Sequence, residues 1–165
     1  DPTAGVRPFR ETRRQRFLSM EELRKLAITL DLAEQDGTIS RTVGAAYRLL
    51  VLTGARLGEI QKLKWEEVDL ANVFVGKKPK QHITDLQRPW RRIRACADLA
   101  DVRIHDLRHT FASMGISVGG SLPIIGGLLG HRTPQATAVY AHLAADPLRQ
   151  TTEQVGAVIG HALGL

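Results

Sequence analysis

The chain holds a single cysteine, Cys96, which excludes an internal disulfide and a zinc site built on several thiolates. A reducing cytosol fits that usage, and a cytoplasmic location is expected. No apolar run reaches the roughly 20 residues of a membrane span, so no membrane partner is expected. The Arg-rich opening stretch, residues 1–16, lacks the apolar core of a secretory signal. No GxGxxG follows a strand-like segment, and there is neither a Walker loop nor a GxSxG elbow. Acidic residues are in the minority, 17 against 23 lysines and arginines, giving a formal net charge of +6 and a pI near 10.0. That balance favours a polyanionic partner, with nucleic acid first; a solvated basic surface is the plain alternative. At 165 residues and 43% hydrophobic, the chain is long and apolar enough to bury one domain core.

Residues 1–16 read as an extended basic linker, with Arg7, Arg10, Arg13, Arg14 and Arg16 against Asp1 and Glu11. Opening on a linker suggests a further domain upstream. Ser19 and Glu22 form a capping box, with Leu18 and Leu23 as the hydrophobic staple of a first helix that ends at Asp36-Gly37. Ser40 caps a second helix, with Val43, Ala46, Tyr47, Leu50 and Val51 inward, broken at Thr53-Gly54. A short helix over Leu57 to Leu63 follows. Val73 to Val75 look like a strand, but a lone strand does not persist. Thr84 and Gln87 suggest another capping box. Leu86, Trp90, Ile93 and Ala97 mark the buried side of that helix, leaving Arg88, Arg91, Arg92 and Arg94 outward. In the helix around His105 to Met114, Leu107, Phe111 and Met114 face one way, and His105, Arg108, His109 and Ala112 the other. Leu122 to Leu129 form a short helix closed by Gly130. Thr133 caps and Pro134 starts a helix towards Tyr140. A final amphipathic helix carries Val155, Val158, Ile159, Ala162 and Leu163 on its apolar stripe.

His105 and His109 have metal-ligand spacing, but HDLRH lacks the glutamate of the zinc motif HExxH, and Arg108 between them opposes a cation. What remains suits phosphodiester chemistry. Two guanidiniums can hold the non-bridging oxygens of a phosphate under attack, and arginine does this better than lysine. Arg56 opens a helix after a Thr-Gly break. Arg108 lies one turn from His105, so both point to one place. His131 follows the Gly130 break, and Tyr140 comes nine residues later. Taken singly, Arg56 reads as a surface arginine, His105 as a helix cap and Tyr140 as a half-buried aromatic. Their joint order is what points to a site.

Three segments carry a resemblance. TGARLGEI (Thr53 to Ile60), HDLRHTFAS (His105 to Ser113) and LLGHRTPQATAVYAHL (Leu128 to Leu143) resemble, in order, the three boxes of the tyrosine recombinases of the phage-integrase type. FLSMEEL and KWEEVDL resemble typical flanking text. The resemblance implies a mainly α (α+β) catalytic domain, a helical bundle with a small antiparallel sheet that is truncated or missing here. It implies a catalytic domain over residues 17–147 and a C-terminal helix over 148–165 that docks onto a neighbouring protomer, packing on its own domain being the alternative. It implies strand cleavage and rejoining through a 3′-phosphotyrosyl intermediate, on double-stranded DNA, in a homo-tetramer, with no metal or cofactor. Arg56 and Arg108 would clamp the scissile phosphate. His105 would assist proton transfer, His131 would hydrogen-bond a non-bridging oxygen, and Tyr140 would be the nucleophile, activated by the positive field around it. Glu59 and His109 would support the site from behind. DNA contacts would come from Arg7, Arg10, Arg13, Arg14, Arg88, Arg91 and Arg92. A type IB topoisomerase-like enzyme, or a DNA-binding relative without catalysis, are the alternatives.

One departure stands out. The family carries a catalytic lysine on a β-hairpin between the first two boxes. Here Asp69 to Asn72 runs straight into Val73-Phe74-Val75, leaving no room for it. Lys77, Lys78 and Lys80 lie in text resembling the approach to the second box, downstream of the hairpin's place. The lysine is therefore left unassigned, and a segment is expected to be absent at or near Asn72-Val73.

Overall fold

The computed structural model describes residues 16–63, 85–143 and 147–163. Among them the ordered elements are helical: α1 (Met20–Gln35), α2 (Arg41–Thr53), α3 (Leu57–Lys62), α4 (Gln87–Cys96), α5 (Ile104–Ser117), α6 (Leu122–Leu128), α7 (Pro134–Ala138), a single 3-10 turn at Ala141–Leu143, and α8 (Pro147–Leu163). There is no strand among the described residues, and no helix is long and apolar enough to cross a membrane. The strand-like Val73 to Val75, the junction at Asn72-Val73, Lys77, Lys78, Lys80 and the linker arginines Arg7, Arg10, Arg13 and Arg14 lie outside the described residues.

The caps of α1 and α2 form as their sequences require. The Ser19 hydroxyl accepts from the Glu22 N–H at 3.2 Å while the Glu22 carboxylate takes the Ser19 N–H at 2.8 Å, and the Ser40 hydroxyl accepts from Val43. Arg16, counted with the basic linker, is committed elsewhere: it pairs with Glu22 at 2.6 Å and Asp101 at 2.8 Å. That contact, above all, holds the Glu22 carboxyl down to about 2. The cap expected from Thr84, itself outside the described residues, falls to Asp85, whose carboxylate accepts from the N–H groups of Gln87 and Arg88. Pro89 then sits in the first turn of α4, where its missing N–H costs no hydrogen bond. Arg88, Arg91 and Arg92 are exposed, but Arg94 turns back and donates to the Val102 carbonyl.

The helices enclose two apolar clusters. The larger packs Leu26 and Leu30 of α1, Tyr47 and Leu50 of α2, Trp90 and Ile93 of α4, and Leu107 of α5. Its two large aromatics satisfy their polar atoms: the Tyr47 hydroxyl donates to the Leu86 carbonyl at 2.7 Å and Trp90 Nε1 to that of Val102 at 3.0 Å. The smaller cluster joins Ala112 and Ile116 of α5 to Ile125 and Leu129 at α6 and to Tyr140, with Phe111 packed against it. Phe111, one turn beyond Leu107, thus packs against the second cluster and not the first. Helix α5 lies between both clusters and is apolar on two sides, so no single stripe describes it.

Helix α2 ends at Gly54, which has a left-handed φ of 63°. A Cβ there would come within 2.5 Å of Phe111 Cδ1 and 2.8 Å of Leu129 Cδ2. Both the backbone conformation and the second cluster exclude a side chain. Gly54→Ala should cost about 2–4 kcal/mol, combining left-handed strain with overpacking. Urea unfolding of the two proteins measures it, and a loss below about 0.5 kcal/mol would contradict this packing.

Candidate active site

Helix ends, more than helix faces, build the cleft. Arg56 is the residue before α3. Its backbone N–H donates to Glu59 Oε2 at 2.8 Å and its Nη1 to Glu59 Oε1 at 2.9 Å, so the α3 start and its first-turn carboxylate fix each other. The Arg56 N–H, first of all, holds the Glu59 carboxyl below its usual range. Arg56 Nη2 reaches across to the Gly130 carbonyl at 2.9 Å. Arg108, on α5, is 5% exposed and donates from Nη1 to the Gly54 carbonyl and from Nη2 to the Leu129 carbonyl, each at 2.5 Å. The two arginines thus lean on consecutive carbonyls of one turn. That turn is possible because Gly130 takes a left-handed φ of 64°.

His131 follows this turn. Its N–H bonds the Gly126 carbonyl at 2.9 Å and its Nδ1 meets the Thr137 hydroxyl at 2.8 Å. Thr137 is buried at 3% exposure on α7, and its approach to α6 requires Gly126, where a Cβ would meet Thr137 Oγ1 at 2.7 Å. Tyr140 follows the end of α7 in a turn, its N–H on the Thr137 carbonyl at 3.0 Å and its ring in the second cluster. Thr133, expected to cap α7, occupies the cap position without a side-chain bond.

Arg56, His105, Arg108, His109, His131 and Tyr140, with Ala136 and Val139, line one cleft of about 340 Å³. All five residues expected to react or clamp are brought together from segments far apart in the chain, and Glu59 pairs with Arg56. His109 is nearer the centre than its supporting place implied: its Nδ1 lies 2.5 Å from the Tyr140 hydroxyl. Thr137 and the carbonyls of Gly54, Leu129 and Gly130 were not singled out in the sequence. Carbonyls have no side-chain signature, and a lone threonine six residues after His131 carries none either.

Burial lowers the pKa of His105, His109 and His131, and neighbouring cations lower it further: Arg108 for His105, His105 for His109, Arg108 and Arg56 for His131. All three imidazoles are therefore biased to the neutral form. At Tyr140 the field expected to activate the hydroxyl is opposed by burial. Burial raises its pKa, and the lowering by Arg108 does not offset this. The hydroxyl keeps its proton, and any reaction must remove it.

Arg108→Lys retains the charge but cannot span two carbonyls with a fixed fork. It should cost about 1–3 kcal/mol through a buried carbonyl left unpaired. Arg56→Lys, at an exposed position, should cost under about 1 kcal/mol. Chemical denaturation of both variants checks the order, and equal losses would refute it.

The sequence profile described as the phage integrase family matches residues 71–146. The integrase of Haemophilus phage HP1 is 29% identical, over 93% of this chain and 51% of its own length. The tyrosine recombinase XerC of Bacillus pumilus is 28% identical, over 87% of this chain and 62% of its own. This chain thus spans about half to three-fifths of those relatives. The two alignments run over 179 and 193 residues, more than the 165 present here, so both relatives carry stretches with no counterpart in this chain. Among solved structures, the catalytic domain of bacteriophage HP1 integrase superposes with a TM-score of 0.63 at 24% identity, covering 85% of this chain and 95% of that one, which establishes the fold. The profile match, the relatives and the shared fold agree, and the chain resembles the phage integrase family of tyrosine recombinases.

Proposed function

We propose that this chain is the catalytic part of a site-specific DNA recombinase that cleaves and rejoins strands through Tyr140. The observation that carries the reading is the single cleft holding Arg56, His105, Arg108, His131 and Tyr140. The guanidiniums, held by backbone carbonyls, keep further N–H donors for the non-bridging oxygens of a phosphodiester. His131, its Nδ1 occupied by Thr137, has Nε2 for the same phosphate. His105, in the cleft beside Arg108, assists proton transfer. The fixed donors stabilise charge as it develops on phosphorus oxygens, without reorganising.

Attack of Tyr140 Oη on phosphorus gives a 3′-phosphotyrosyl link and a free 5′ hydroxyl. A 5′ hydroxyl then attacks that link and restores the phosphodiester, so the bond energy is kept through the cycle. The partner is double-stranded DNA in the cytoplasm. Exposed Arg88, Arg91 and Arg92 on α4, and the linker arginines, neutralise its backbone. Residues 17–147 form the catalytic domain and 1–16 the basic linker. Val155, Val158 and Ile159 of α8 are exposed apolar residues, suited to docking onto a neighbouring protomer in a DNA-bound tetramer. The catalytic lysine belongs to a segment with no counterpart here.

The test is a nicked suicide duplex carrying the recombination site. The protein should become covalently attached to it. Tyr140→Phe should lower the adduct to an undetectable level while shifting the same DNA in a native gel. An adduct that survives in Tyr140→Phe would remove Tyr140 from the role.

A further inference from the structure

We propose that His109 accepts the proton of Tyr140 during strand cleavage, an inference that rests on the recombinase reading and adds a catalytic residue to it. The contact is direct, at 2.5 Å between Nδ1 and the hydroxyl, with ring centroids 5.7 Å apart. The other groups around the cleft do not serve. His105 presents itself to the His109 ring, edge on at 4.8 Å, and makes no bond to the hydroxyl. His131 has its Nδ1 on Thr137. Arg56 and Arg108 are donors only, and Glu59 is engaged by Arg56.

The surroundings suit a base. Facing His109 are His105, Asp106 and Arg108 from its own helix, His131 from the turn after α6, Tyr140 after α7, and Arg56 across the cleft. Burial comes first, and with the net cationic company it keeps the ring neutral below the ordinary histidine range. A neutral ring with its hydrogen on Nε2 offers the Nδ1 lone pair to the hydroxyl.

In cleavage the Oη–H bond breaks and the proton passes to Nδ1. Oη forms a bond to phosphorus, and the P–O5′ bond breaks with its electron pair. The departing 5′ oxygen takes one proton from the solvent. In rejoining, the attacking 5′ hydroxyl gives a proton to the solvent, the P–Oη bond breaks, and Oη recovers its proton from the His109 imidazolium.

Diisopropyl fluorophosphate separates this role from others, because its fluoride leaves without a proton and no DNA is needed. Phosphorylation of Tyr140 would be followed by peptide mass spectrometry from about pH 5 to about pH 9. Tyr47, fully buried, is the internal control. The wild-type rate should fall in acid with a midpoint below about 6.5. His109→Asn places an amide at the Nδ1 position and keeps a hydrogen bond without accepting a proton. It should label about 100-fold more slowly at neutral pH and lose the acid limb. His105→Asn should lose less. Labelling of His109→Asn at the wild-type rate, a retained acid limb, or an equal loss in His105→Asn would each overturn the proposal. Should His109→Asn fail to fold, imidazole nitrogen NMR decides: Tyr140→Phe should shift the Nδ1 resonance of His109, and an unchanged resonance overturns it. A failure here leaves the phosphotyrosyl adduct unaffected, and a missing adduct leaves the labelling result standing.

Discussion

The buried Arg108 guanidinium organises this molecule. It is 5% exposed, and a cation withdrawn from water is costly unless its donors are met. The carbonyls of Gly54 and Leu129 meet them, and in doing so tie the end of α2 and the end of α6 to the middle of α5. Arg56 repeats the device one residue on, at the Gly130 carbonyl. Burial lowers the Arg108 pKa, and Arg56 lowers it further, so two like charges stand close together. A fold holds such a pair at a cost, and an anion bound between them would offset it.

That arrangement explains why the site is made of helix ends. Carbonyls at a helix C-terminus lack intrahelical partners, and left-handed glycines at Gly54 and Gly130 turn the chain so that these carbonyls point at guanidiniums. The terminal groups that α2 and α6 leave unpaired are spent on the site. The same economy recurs at Thr137, which orients His131 through its hydroxyl and Tyr140 through its carbonyl.

Much of this was legible in the residues. The Ser19–Glu22 box, the Ser40 cap, the breaks at Gly37, Gly54 and Gly130, and the buried face of α4 follow from local rules, and each forms. The three boxes marked Arg56, His105, Arg108, His131 and Tyr140, which share the cleft. That Leu107 and Phe111, one turn apart, serve two different clusters could not be read from periodicity, because α5 is packed on two sides. The contact between His109 and Tyr140 spans 31 positions, and no local pattern encodes it. A signal existed nonetheless: His109 is one turn beyond His105 and therefore on its face. The positive field at Tyr140 could be foreseen, but not the burial that opposes it, because charge can be counted in a sequence whereas loss of solvent around the ring cannot.

Gly126 has a consequence that reaches beyond its own position. It lies outside the cleft, on the far side of Thr137, and its missing side chain is what lets α6 and α7 touch. Thr137 in turn holds one imidazole and the turn that carries the tyrosine. A single added methyl would press on the Thr137 hydroxyl that holds His131 and on the helix whose end leads to Tyr140. A residue that does not line the cleft, and whose carbonyl also takes the His131 N–H, thus helps set how the imidazole and the tyrosine stand relative to each other.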